Sequence, residues 1–241
     1  MKLRLVELLE SAAGYWKADR DLLLRIACVF YLLPSFALNL FMPDPADTSA
    51  LDEAGRQAAM IAYFVDNGPW LVSAIGVQLL GTATLLVMLL SPERPTLRDA
   101  IGRALWLWPV VLAGWIFASL LCGIGFFPLI LPGFYLAGRT FLTTATIVAE
   151  RRNPLSGLMQ GIAHTRGHGW MLTTTYLAVV MANALAAMLL GDLALAAKSL
   201  SPVVAAPVLL LASFVSALAA LASALLQVAA YRRLAGSSTG M

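Results

Sequence analysis

The sequence predicts an all-α, polytopic membrane protein with six transmembrane helices arranged as three helical hairpins. Hydrophobic residues make up 60% of its 241 residues and charged residues only 12%, with a mean hydropathy of +0.82. A soluble domain of this composition would aggregate through exposed apolar surface. The apolar runs are continuous and do not alternate with polar residues, which favours helices over barrel strands. The connections between them are too short for a soluble domain, so we expect residues 1–241 to form a single membrane domain.

The positions of the spans follow from length, because a helix needs about 20 apolar residues to cross about 30 Å of hydrocarbon. The predicted spans are residues 26–41, 69–90, 104–121, 125–149, 170–190 and 203–231. The connection at residues 42–68 is the longest and the most acidic. We expect one short helix within residues 51–63, acting as a surface cap and not as a binding lid.

The lysines and arginines fall on one side of this topology. Of the 16, thirteen lie in the N-terminal segment, the second and fourth connections and the tail, while the first, third and fifth connections hold only Arg56 and Lys198. Because cytoplasmic segments retain positive charge, both termini are predicted to be cytoplasmic, in a multi-pass protein of the bacterial inner membrane. The basic face favours membrane lipids with anionic headgroups as partners, and nothing in the sequence points to nucleic acid.

A weakly amphipathic cytoplasmic segment precedes each pair of predicted spans. The first, residues 1–25, carries Leu8 and Trp16 on one helical stripe, and in the second Thr96 could cap a helix with Asp99. The third has apolar residues at helical spacing after Pro154. Such segments commonly lie in the membrane interface. The alternative is that they are cytoplasmic extensions of the spanning helices.

Arg139 is the one charged residue within the six predicted spans. An arginine at mid-membrane costs about 3 kcal/mol on insertion scales, so its charge needs a partner. No aspartate or glutamate lies in any predicted span. One remaining partner is a lipid phosphate, and a second is a backbone carbonyl freed by Pro128 or Pro132. The third is a polar side chain within the spans, from Gln78, Thr143, Asn183 or Gln227. We rank structural neutralisation first, lipid or anionic-ligand contact second and transport third.

The start of the fourth span contains a Pro-Gly motif formed by Pro128, Pro132 and Gly133. The prolines remove two backbone donors, and Pro132 is expected to bend the span or delay its regular start. A broken helix at membrane depth can mark a transport site, which makes a small transporter or channel the alternative function. A single proline-bent helix also has a purely structural interpretation.

This region carries a family resemblance. The run Leu-Pro-Gly-Phe-Tyr-Leu-Ala-Gly-Arg at residues 131–139, followed by Val-Ala-Glu at 148–150 and Gly169-Trp170, resembles bacterial YciC-like membrane proteins and the related membrane domain of some glycerophosphoryl diester phosphodiesterases. The resemblance covers roughly residues 129–172 and implies a six-helix membrane domain of poorly defined biochemical role. The 241 residues hold no soluble phosphodiesterase domain, so that activity is not expected.

Motifs for catalysis, metal binding and cofactor binding were not found. There is no Gly-x-Ser-x-Gly elbow, phosphate loop or pair of carboxylates in a span, so no catalytic residue and no cofactor is predicted. The histidine pair of the fourth connection lacks the third ligand usual for a metal. We predict interfacial solvation or lipid phosphate contact there, with six candidate lipid- or ligand-binding residues: Arg139, Arg151, Arg152, His164, Arg166 and His168. The expected function is non-enzymatic, an accessory or organising factor that contacts lipids or a membrane-protein partner.

Overall fold

A computed structural model describes residues 5–43, 48, 50–93, 95–126 and 130–236 of the chain. These residues form ten α-helices and one π-helical turn, and none of them belongs to a strand. The all-α class predicted from the sequence is therefore confirmed. In chain order the elements are α1 (Leu5–Ala27), the π turn (Cys28–Leu32), α2 (Leu33–Phe41), α3 (Glu53–Asp66), α4 (Gly68–Leu90), α5 (Leu97–Phe126), α6 (Ile130–Thr140), α7 (Thr143–Glu150), α8 (Pro154–His164), α9 (Gly169–Leu200) and α10 (Pro202–Gly236).

Within the described residues, five helices are long and apolar enough to cross a membrane, as expected of a multi-pass membrane protein. They contain five of the six predicted spans and extend beyond them at one or both ends: Val6–Phe41, Gly68–Leu90, Leu97–Phe126, Gly169–Ser199 and Val203–Ala235. The first consists of α1, the π turn and α2, which follow one another directly along the chain, and it has a kink inside α1.

The predicted fourth span, residues 125–149, is not one helix. Its first two residues end α5, and residues 130–149 are divided between α6 and α7 by a break at Phe141 and Leu142. With 11 and 8 residues, neither helix has the length needed to cross a membrane alone. Pro132 lies in the first turn of α6, where a missing N–H removes no helical hydrogen bond, so the break is not at the proline. Pro128 lies outside the described residues.

Threonine hydroxyls donate hydrogen bonds to backbone carbonyl oxygens on both sides of this break. Thr140 donates to the carbonyl oxygen of Leu136 at 3.0 Å, and Thr146 donates to that of Leu142 at 2.9 Å. Threonine in this arrangement bends helices and has a low helix propensity. Leu142 has φ −89° and ψ 0°, a turn conformation. Thr82 and Thr84 make the same bond inside the unbroken α4, so these hydroxyls accompany the break and do not by themselves cause it.

Two of the three amphipathic segments are joined to spanning helices, and the interfacial position expected for all three stays a prediction. The first continues into the first span, with one kink at Asp19, where φ is −136° and ψ is 34°. The second is the start of α5. The third is the separate helix α8, which packs against α7 and leaves Leu155 and Met159 exposed.

The basic segments of the chain meet at one end of the bundle. Arg233 of α10 donates to Glu7 of α1 at 2.6 Å, and Arg232 donates to a carbonyl oxygen in the last turn of α4. Arg103 of α5 and Arg151, which follows α7, line one groove at the same end of α4. The helix ends predicted to share one side of the membrane are thus in contact.

The opposite end contains the turn between α9 and α10 and the end of α2. Phe36 of α2 packs there against Ala197 and Ala205. The connection after α2 holds α3, whose start is capped by Asp52 accepting from the backbone N–H of Gly55 at 2.8 Å. This helix confirms the short helix predicted within residues 51–63, with its end three residues later.

Candidate functional site

Glu150, the last residue of α7, is the centre of a polar cluster that joins three helices. Its Oε1 accepts from the Tyr231 hydroxyl of α10 at 3.1 Å and lies 3.0 Å from Nε2 of His164 in α8. Its Oε2 accepts from Nε of Arg152 at 3.0 Å. The side chains of Glu150 and His164 are only 21% and 9% exposed. These four residues, here named the Glu150 cluster, fasten the α7–α8 hairpin to α10.

The electrostatics of the cluster favour an ionised Glu150. Partial burial on its own raises the pKa of Glu150, but the hydrogen bonds with His164, Arg152 and Tyr231 lower it by more, so the net shift is downward. The carboxylate is thus charged at neutral pH and both of its oxygens are occupied. This arrangement positions helices and does not present an unoccupied base to a substrate.

The surroundings of His164 differ from those that the sequence predicted. Interfacial solvation or lipid contact was expected, whereas the ring is buried beside Glu150, 3.5 Å from Nε2 of Gln160 and edge-on to the Tyr231 ring at 6.0 Å. Among the residues that the structure describes, no group of three or more histidine, cysteine, aspartate or glutamate side chains could hold a metal ion. The cluster is therefore interpreted as an interhelical hydrogen-bond network.

Arg139 lies in the last turn of α6, beside the turn that joins α8 to α9. Its Nη1 donates to the carbonyl oxygen of Thr165 at 3.1 Å, and the Thr165 hydroxyl donates back to the carbonyl of Arg139 at 3.3 Å. Its guanidinium carbon is 5.9 Å from the centre of the Tyr135 ring. Thr165 directly follows α8, where the last carbonyls lack helical partners.

This partner differs from those the sequence predicted for Arg139. A backbone carbonyl does hold the guanidinium, but it belongs to Thr165 and not to a residue freed by proline. Within the described part of the chain, no carboxylate oxygen lies within the 4.0 Å limit for an ion pair with Arg139. The side chain is half-buried, so part of it faces outward from the bundle.

Two glycines bring α6 and α9 close enough for this contact. A β-carbon at Gly138 would lie 2.6 Å from both the Cα and the N of Thr173 in α9. A β-carbon at Gly169, the first residue of α9, would lie 2.9 Å from Cδ of Arg139. A similar contact joins Gly133 of α6, which is buried, to α5 through the Phe126 ring.

The other predicted residues lie in two further places. Arg166 is exposed in the α8–α9 turn, and its carbonyl oxygen is 3.3 Å from Nδ1 of the half-buried His168. Arg151 is exposed, and its side chain has no hydrogen bond or ion pair with another described residue. The six candidates are therefore brought together in part: Arg152 and His164 in the Glu150 cluster, Arg139 with Arg166 and His168 at the α8–α9 turn, and Arg151 by itself.

Two polar cavities lie between the helices. The larger, of about 580 Å³, has as its polar lining Thr82, Ser119, Cys122, Thr140, Thr143, Thr144, Tyr176 and Gln227. The smaller, of about 270 Å³, is lined by Gln78 and Asn183 together with serines from α2 and α10. Both are lined by Tyr176 and Val180, so they are neighbours. Neither lining contains a charged residue.

Three buried oxygens along these cavities have no hydrogen-bond partner among the described residues: Thr143 Oγ1, Gln227 Oε1 and Asn183 Oδ1. An unpaired buried acceptor costs about 1–3 kcal/mol, so such groups commonly pair with water or a ligand. Arg139 lines neither cavity. The polar interior and Arg139 are therefore separate features.

Sequence reasoning did not select several residues of these sites. Glu150 had an available signal, because it is the single acidic residue between Asp99 and Asp192. Tyr231 is 81 residues away from Glu150 along the chain and had none. Thr165 acts mainly through its backbone, which no side-chain pattern reports.

Comparisons of the chain with protein-family models, with curated proteins and with solved structures gave no match. The resemblance to YciC-like proteins therefore stays a prediction.

Proposed function

We propose that this chain is a non-enzymatic integral membrane protein that contacts anionic lipid headgroups and serves as an accessory or organising factor for lipids or a partner membrane protein. One observation carries the proposal, which is that arginines from separate segments meet at one end of a bundle of five long apolar helices. A lysine or arginine near an anionic membrane surface contributes about 1 kcal/mol of attraction.

In the proposed topology the basic end faces the cytoplasm of a bacterium, and both termini lie on that side of the inner membrane. Helices α6 and α7 then supply a sixth, broken crossing. Residues 130–149 correspond to about 30 Å at 1.5 Å per residue, close to the thickness of the hydrocarbon layer. The result is three hairpins of the kind that the YciC-like resemblance implies.

The state of the polar groups supports contact with lipid over catalysis. Oε1 of Glu150 lies 3.0 Å from Nε2 of His164, so each group already has a hydrogen-bond partner. Neither is positioned as an acid or base for a substrate. Arg98, Arg151 and Arg166 are instead exposed at the surface. Cations presented without a nucleophile or an activated base suit the binding of phosphate groups more than their hydrolysis.

The lipid test uses purified protein in nanodiscs of mixed phosphatidylglycerol and phosphatidylcholine. We expect the lipid that remains after mild detergent extraction to be enriched in phosphatidylglycerol relative to the starting mixture. Retention that matches the starting ratio would refute the proposed contact with anionic headgroups.

The topology test uses single cysteines in a chain from which Cys28 and Cys122 have been removed. Asn153→Cys, in the α7–α8 turn, should react with a membrane-impermeant maleimide only after the cells are permeabilised. Ser199→Cys, near the end of α9, should react in cells with a permeable outer membrane but an intact inner membrane. Both positions are exposed, so the reversed pattern would contradict the orientation.

A small transporter or channel is the second candidate, and the two polar cavities favour it. Their charge-free linings fit water or a neutral polar solute more than an ion. Arg139 lines neither cavity, which counts against a transporter in which Arg139 selects the substrate. The test is the shrinkage and recovery of proteoliposomes in glycerol or urea. Recovery faster than in empty liposomes, slowed by Asn183→Leu and not by the exposed Met188→Leu, would support transport, and equal recovery would refute it.

A further inference from the structure

A groove at the basic end of the bundle combines two cations with an apolar wall. It has a volume of about 410 Å³ and lies between the end of α4, the start of α5 and the end of α7. Its polar side chains are Arg103, Arg151 and Ser91. Its apolar wall consists of Val87, Leu107 and Val148, with Trp106 at the side.

Arg151 is the cation of this groove that no other described residue neutralises. It has φ 50° and ψ 43°, a left-handed conformation that favours glycine, directly after the last helical residue of α7. A non-glycine residue in that conformation costs about 1–2 kcal/mol. The chain thus holds an arginine at a position where glycine would be more stable.

Arg103 is only partly neutralised. Its Nη2 forms an ion pair with Oε2 of Glu93 at 2.9 Å, but the two side chains are 41% and 70% exposed. Exposed ion pairs contribute little, so Arg103 can reorient toward a stronger anion. With Arg151, the groove has two guanidinium groups against one carboxylate. The surplus positive charge and the fork geometry of arginine suit a phosphate.

The remaining wall distinguishes a lipid phosphate from a free one. Val87, Leu107 and Val148 form a buried apolar base, and Trp106 is the exposed apolar side chain that an acyl chain can contact. Trp106 is 79% exposed, and tryptophan is enriched at the level of lipid headgroups. A site for inorganic phosphate would not need this apolar surface.

We infer that this groove binds the phosphate of an anionic phospholipid between Arg103 and Arg151, with the lipid's acyl chain against Trp106. The inference rests on the proposed function, because it names one site for the anionic lipid contact. It goes further in predicting that a few lipids are bound at a defined place, in addition to general attraction at the surface.

The experiment is a titration of the full chain, in neutral detergent, with phosphatidylglycerol, followed by native mass spectrometry. Phosphatidylcholine with the same acyl chains and inorganic phosphate are titrated in parallel. We expect phosphatidylglycerol to bind most tightly, and Arg103→Gln and Arg151→Gln each to weaken its binding about fivefold. Arg151→Lys, which keeps the charge, should retain most of the binding.

The matched control is Arg98→Gln, which removes an exposed arginine from the first turn of α5 but outside the groove. Its effect should be less than about twofold, because only long-range attraction is lost. Circular dichroism of each variant confirms the helical fold before titration.

The outcomes separate this inference from the proposed function. If the wild type prefers phosphatidylglycerol but the groove variants lose no more than Arg98→Gln, the groove is not the site, while the proposed function stands. If the wild type shows no preference over phosphatidylcholine, both fail. If millimolar inorganic phosphate displaces phosphatidylglycerol and binds alone with the same dependence on Arg103 and Arg151, the site takes free phosphate and the lipid inference is overturned.

Discussion

Replacing Gly138 with alanine tests the helix crossing that brings Arg139 to Thr165. The added β-carbon would lie 2.6 Å from the Cα and N of Thr173. Because these are backbone atoms, no side-chain rotation relieves the overlap. Normal van der Waals contact begins near 3.4 Å, so α6 and α9 would have to separate by about 1 Å.

The free energy of unfolding should fall because two opposing effects differ in size. Alanine in place of glycine gains about 0.5–1 kcal/mol through helix propensity. Overpacking a close contact costs about 1–3 kcal/mol. At Gly138 the overlap is with two backbone atoms of Thr173, so we expect a net loss of about 1–2 kcal/mol in the free energy of unfolding. The distance from Arg139 to Thr165 should also increase.

The matched control is Gly191→Ala in α9, where a β-carbon would meet no atom within 4 Å. Only the propensity gain applies there, so this variant should be more stable than the wild type. Both are measured by reversible denaturation in mixed micelles with increasing sodium dodecyl sulfate, followed by far-ultraviolet circular dichroism. If Gly138→Ala is as stable as the wild type, or more so, the close approach of α6 and α9 is wrong.

Two further substitutions test the polar contacts. Glu150→Gln should destabilise the chain at neutral pH, because it removes charge-assisted bonds worth about 1.5–3 kcal/mol each before compensation. Since the pKa of Glu150 is lowered in the folded state, its contribution is present in full above the ordinary value of 4.5 and is lost as pH falls through the lower folded value. Denaturation midpoints from pH 7 to pH 3 should therefore converge for wild type and variant, and parallel curves would contradict the assignment. Arg139→Leu should lower thermal stability or the amount of co-purified lipid, because the carbonyl of Thr165 loses its donor; no change in either would refute both interpretations of Arg139.

The spans were predictable because hydropathy reports which residues prefer lipid, but it does not report where a helix ends. Helix α9 continues to Leu200, about ten residues beyond the predicted span, and includes Asp192 and Lys198. Charged residues are compatible with a helix once it has left the apolar layer. The predicted limits were therefore too short for physical reasons, although five of the six predicted spans lie within long apolar helices of the described residues.

The break in the fourth span could not be placed from the sequence, because proline is the strongest local signal and it was misleading here. Pro132 lies where a helix tolerates proline, and the break instead falls at Phe141 and Leu142, nine residues further along the chain. The close contact of Gly138 with Thr173 joins residues 35 positions apart. Contacts of this kind depend on how helices cross, which a single sequence does not specify.

The left-handed conformation of Arg151 yields a prediction in which stability and binding change in opposite directions. Glycine at this position would relieve a backbone cost of about 1–2 kcal/mol while removing the unpaired guanidinium. We expect Arg151→Gly to unfold at higher denaturant than the wild type in lipid-free detergent and to bind phosphatidylglycerol more weakly. Arg151→Ala removes the same charge but keeps the strained backbone, so it should lose binding without gaining stability. If the two variants are equally stable, the strain at this residue is not real. If Arg151→Gly gains stability and keeps its lipid, the arginine is not held there for the sake of binding.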